Sequence, residues 1–135
     1  MRPEDEDAFA VLRDIAQRRG QFGHGQHLEL AWTCLASSPF EQAAQRVVSA
    51  IRRFSVLHGA GERYHDTITR AWLRVVAIHV ADSGAASFDD FIAANPALMD
   101  QRLLGRHYSA ELLRRDEARS AWVDPDIRAF PVLAS

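Results

Sequence analysis

Apolar residues recur along this chain at intervals of three and four, and almost nowhere in strict alternation, which predicts helices rather than strands. Phe9, Leu12, Ile15 and Ala16 make the first such stripe, in a helix expected from about Pro3 to Arg18. Acids crowd its first turn and arginines its last, matching the helix dipole, and Gly20 ends it. Leu28, Ala31, Trp32 and Leu35 mark a second helix, from near Gly23–Gln26 to about Ser37. Ser37-Ser38-Pro39 stops that helix and opens a third, with Phe40, Ala44, Val47, Ile51 and Phe54 on its buried face and an end near His58-Gly59.

A fourth helix is expected from about Gly61 to Asp82. His65, Ile68, Trp72, Val75 and His79 fall at helical offsets along it. Ser87-Phe88-Asp89-Asp90 has the form of a capping box opening a short helix to about Asn95. Pro96 restarts the chain, and two further short helices are expected over Ala97–His107 and Ser109–Trp122, before an irregular tail at about 123–135 that packs on the outside. The expected fold is all-α: a bundle of four main helices with short C-terminal helices packed over it, in a single domain spanning 1–135.

Composition narrows the chemistry. A formal net charge of -2 and the absence of a concentrated basic helix face argue against nucleic acid or an anionic membrane as partner. Every basic side chain is Arg, so lysine Schiff-base chemistry is excluded. The single cysteine, Cys34, allows no internal disulfide and reads as a small core residue. The acidic N-terminus lacks the apolar segment of a secretion signal, and a cytoplasmic location is expected.

Six histidines carry the candidate chemistry. His24 and His27 stand three residues apart at the start of the second helix, and Glu62 and His65 have the same spacing at the start of the fourth. Short connections between helices two, three and four predict an up-down-up course, which brings those two starts to one end of the bundle. His24, His27 and His65 are therefore the expected ligands of one transition-metal ion, with Glu62 as fourth ligand or general base. Three imidazoles and a carboxylate suit Zn, Fe, Cu, Ni or Mn. One Glu-x-x-His motif is too few for a carboxylate-bridged pair of ions, so the site is expected to be mononuclear.

His79 lies about 21 Å along the fourth helix from His65 and is excluded from that site. His58, at the end of the third helix, is a reserve ligand. The segment RLLGRHYS (Arg102 to Ser109) supplies Arg102 and Arg106 for a substrate carboxylate or phosphate and Tyr108 as proton donor, with Thr69 and Trp72 as pocket walls. Asp66 and Arg70 are expected to pair on a solvated face.

The combination of Phe22, His24, His27, Leu28 and Trp32 with Tyr64, His65 and Thr67 resembles an FxHxxHLxLAW…YHxTIT pattern in small uncharacterised bacterial helical proteins. That resemblance implies a domain of its own type and no particular activity. The leading expectation is a small metal-dependent enzyme acting on a small polar or acidic organic molecule, with a homodimer possible. The alternatives are a non-catalytic helical binding or regulatory module with structural histidines, and a metal-sensing protein.

Overall fold

The computed structural model describes residues 3–133, residues 3–6 by their backbone alone. The fold is all-α. Its main helices are α1 (Pro3–Arg19), α2 (His24–Ser37), α3 (Phe40–Leu57) and α4 (Asp66–Ala81), followed by short helices α5 (Phe88–Ala94), α6 (Ala110–Leu113) and α7 (Asp116–Ser120). Three 3-10 helices, Gly61–Arg63, Pro96–Met99 and Gln101–Arg106, connect them. Among the described residues, no helix is long and apolar enough to cross a membrane. The chain forms two compact units, Met1–Tyr64 and His65–Ser135.

In the first unit α1, α2 and α3 pack on one another. Ala8, Leu12 and Ile15 of α1 are almost completely buried, as are Ala43, Ala44, Val47, Val48 and Ile51 of α3. Three small alanine side chains on the buried side of α3, Ala43, Ala44 and Ala50, let neighbouring backbones approach closely. Gly20 and Gly59, with φ of +77° and +68°, end α1 and α3 in the left-handed conformation that glycine adopts without steric cost. Phe22, in the turn before α2, stacks edge-on against Phe54 with centroids 5.3 Å apart, so that turn sits beside the last turns of α3.

The buried face of α2 is wider than the expected stripe: Leu28, Glu29, Leu30, Ala31 and Cys34 are buried, whereas Trp32 and Leu35 are only half-buried. Glu29 is a carboxylate in a largely apolar setting. It accepts from Arg18 Nη2 at 3.2 Å and Arg19 Nε at 3.1 Å, which compensate the loss of water.

In the second unit Ser87 caps α5 as its sequence predicts, accepting from the Asp90 amide at 3.1 Å. Downstream, the two expected helices are broken into shorter pieces. Asp100 and Ser109 each accept from a backbone amide ahead, so side-chain caps restart the chain repeatedly. The segment beyond Trp122 is irregular, yet it is tied down. Val123 accepts from the Tyr108 hydroxyl at 2.7 Å, Asp126 accepts from the Ser109 amide and hydroxyl at 2.8 and 2.6 Å, and the Ile127 amide donates to the His107 carbonyl at 2.9 Å. Phe130 stacks on His107 with centroids 4.1 Å apart.

Candidate functional site

The start of α2 is built from Gly23 and Gln26. Gly23 is extended, and Gln26 Oε1 accepts from its amide at 2.9 Å. This geometry puts His24 at the first helical position and His27 one turn on. The His27 ring lies edge-on to Phe22, with centroids 4.6 Å apart. Burial, followed by the proximity of His24, pushes the His27 imidazole down to about 4, so it is neutral near pH 7. No described residue hydrogen-bonds its ring nitrogens.

The start of α4 differs from its sequence expectation. Glu62 stands exposed on the 3-10 turn Gly61–Arg63, and Tyr64, at φ -61° and ψ 136°, interrupts the helix before His65. Glu62 and His65 therefore share no helix face, because three-residue spacing aligns side chains only where the helix is continuous. His65 is instead the N-cap of α4. Its Nδ1 accepts from the Ile68 amide at 3.1 Å, and its Nε2 lies 2.7 Å from the Leu113 carbonyl. A carbonyl only accepts, so Nε2 carries the proton and Nδ1 the lone pair. Both nitrogens are engaged, and metal coordination through either one would break a hydrogen bond that holds the fold.

The boundary between the two units falls between Tyr64 and His65, so His24, His27 and Glu62 belong to one unit and His65 to the other. Among the described residues, no group of three or more His, Cys, Asp or Glu side chains is arranged to hold a metal ion. The remaining histidines with a resolved ring contact use Nδ1 on the carbonyl of a residue in the structure: His58 on Phe54 at 3.0 Å, His79 on Val75 at 2.8 Å and His107 on Arg128 at 2.8 Å.

The residues expected to meet a substrate are largely internal. Tyr108 is 1% exposed, and its hydroxyl points into the Val123 carbonyl. Burial, assisted by Asp124, pushes its phenol well above the ordinary value, the opposite of what an accessible proton donor needs. Thr69 donates to the His65 carbonyl at 2.8 Å, and Trp72 is buried in α4. Arg102 and Arg106 do come together, lining an open groove of about 360 Å³ with Asp100 and Leu103. There Asp100 takes the Arg102 guanidinium in a two-point pair at 3.0 and 3.2 Å, and this pairing holds its carboxyl below the usual carboxylate range.

Two buried polar residues carry roles that the linear pattern does not show. Asp66, expected to be solvated, is 3% exposed, although its pairing with Arg70 at 2.7 Å is as expected. Thr67 is fully buried; its hydroxyl donates to the Ala121 carbonyl at 2.9 Å and accepts from the Val123 amide at 3.2 Å. Thr67 stands two residues after the capping His65, but its partners lie more than fifty residues away, where no local pattern could indicate them. Compared with models of protein families, with curated proteins and with solved structures, the chain matches none.

Proposed function

We propose that the chain is a non-catalytic helical binding module whose histidines are structural. The observation that carries this reading is His65, which uses one ring nitrogen to cap α4 and the other to tie that cap to α6. The same economy of use extends to His58, His79 and His107, whose Nδ1 atoms donate to main-chain carbonyls. Histidines used this way hold backbone in place and leave little for acid–base or metal chemistry.

A second reading is favoured by one observation, the uncharged His27 ring with uncommitted nitrogens next to His24. It is a small metal-dependent enzyme acting on a small polar or acidic molecule, with Zn, Fe, Cu, Ni or Mn held at the α2 start. Elemental mass spectrometry on untagged protein separates the two. The module reading expects no stoichiometric metal as purified, and a melting temperature that chelator or any of those ions leaves unchanged. Near-stoichiometric metal that disappears in His27→Ala would overturn it in favour of the enzyme.

A further inference from the structure

Residues 123–133 have no regular structure, yet the stretch 126–130 is held in the manner of a bound peptide. Two side chains anchor it, four residues apart. Asp126 accepts from the Ser109 amide and hydroxyl at 2.8 and 2.6 Å, and Phe130 stacks on the His107 ring with centroids 4.1 Å apart. Between the anchors the main chain makes the polar contacts. The Ile127 amide donates to the His107 carbonyl at 2.9 Å, and the Arg128 carbonyl accepts from His107 Nδ1 at 2.8 Å. Phe130 also completes a cluster of rings, its centroid 6.1 Å from that of Tyr108 and 6.3 Å from that of Trp122. Anchoring side chains joined by backbone hydrogen bonds are how protein surfaces recognise extended peptides.

What this strap leaves in water points to its partner. Ile127 is 59% exposed and Val132 is 97% exposed, two large apolar side chains within six residues of each other. A two-fold pairing of identical chains sets a surface patch against its own equivalent, so the same two side chains find apolar partners there. The strap is also hinged. Val123 is fixed separately, its amide donating to the Thr67 hydroxyl at 3.2 Å and its carbonyl accepting from the Tyr108 hydroxyl at 2.7 Å. Only Asp124 and Pro125 lie between that fixed point and Asp126. Once those two residues swing out, every docking contact can be made on another copy instead, the exchange of identical elements that forms dimers at low cost.

We infer that His107 and Ser109 form a peptide-docking surface whose occupant passes between two copies of the chain. Residues 126–130 of one copy seat on His107 and Ser109 of the other, and the two straps pair through Ile127 and Val132. Within one copy the short connection gives the strap a high effective concentration, so the dilute chain closes on itself and the concentrated chain exchanges. This goes beyond the binding-module reading and holds with or without bound metal.

The test is complementation between two full-length variants. Asp126→Ala/Phe130→Ala keeps the surface and spoils the strap; His107→Ala keeps the strap and spoils the surface. Light scattering should find the wild-type mass rising toward double as its concentration approaches about 1 mM, the scale set by a short connection. Each variant alone should stay monomeric, and their mixture should form a one-to-one heterodimer. Val132→Asp should weaken the wild-type dimer while leaving the melting temperature of the dilute chain unchanged. A synthetic peptide of residues 124–133 should return the wild-type dimer to monomer, and the same peptide with Asp126→Ala and Phe130→Ala should not. Circular dichroism shows whether each variant keeps its helices, and the wild-type and peptide measurements stand if one does not. A wild-type mass that stays single would overturn the inference, as would two folded variants that fail to combine, or a dimer formed by Asp126→Ala/Phe130→Ala alone. Peptide bound by that variant with no wild-type dimer would overturn it too, since the surface would then serve only the chain's own strap.

Discussion

Replacing His65 separates a structural histidine from a metal ligand by magnitude as well as by sign. The side chain makes two hydrogen bonds, Nδ1 to the Ile68 amide at 3.1 Å and Nε2 to the Leu113 carbonyl at 2.7 Å. Loss of an N-cap costs about 1 kcal/mol, and loss of a partly buried hydrogen bond costs about another 1 kcal/mol. His65→Ala should therefore destabilise by about 2 kcal/mol, which in a unit of this size lowers the melting temperature by roughly 8 to 16 °C. Asparagine is a good N-cap but is too short to reach Leu113, so His65→Asn should recover about half of that loss, about 1 kcal/mol. The assay is urea denaturation followed by helical circular dichroism, with and without added Zn. A structural histidine predicts the order wild type, Asn, Ala, identical in both conditions. An Ala variant within about 0.5 kcal/mol of wild type, or an Asn variant no better than Ala, would refute the reasoning. A wild-type stability that rises with Zn while both variants stay flat would show that His65 binds the ion after all.

Thr67→Val removes the hydroxyl that joins the Ala121 carbonyl and the Val123 amide, leaving both without that partner at a cost of about 2 to 4 kcal/mol. Thr67→Ser keeps the hydroxyl and should lose only about 1 kcal/mol for the buried methyl; amide hydrogen exchange at Val123 should accelerate in the Val variant and not in the Ser variant. His27 makes stability depend on pH. Its folded value, about 4, lies below the ordinary 6.5, so the unfolded chain binds more protons between those two limits. The contribution is fully present above about pH 6.5 and is lost as pH falls through that window, about 2 to 3 kcal/mol in all after allowance for partial exposure. His27→Phe should flatten this acid limb of the stability curve; an unchanged slope would show that His27 titrates normally.

Much of the architecture follows from local chemistry that a linear pattern displays. Gly20 and Gly59 end helices because they alone enter the left-handed region cheaply, and Ser87 opens α5 because its hydroxyl reaches an amide three residues ahead. The apolar spacing in α1 and α3 was legible for the same reason: amphipathic helices bury one face, and the period of that face is written into the order of residues.

Tertiary structure decided the rest. Spacing showed Glu62 and His65 three apart, but whether three residues make one helical turn depends on the backbone between them, and Tyr64 is extended. With that break, His65 became a cap and reached Leu113, forty-eight residues on, a partner no local rule identifies. Asp66 looked like a solvated member of an ion pair, yet it is buried, because helix period states which residues share a side and not which side meets the protein. Arg13 and Arg53 meet only because α1 and α3 bring two distant arginines over the Phe9 ring. The sequence by itself determined where helices start, stop and turn apolar faces inward, since those are short-range matters of sterics, capping and periodicity. Which polar groups meet across the fold, and hence what this protein does with its histidines and arginines, was left to the packing of elements far apart in the chain.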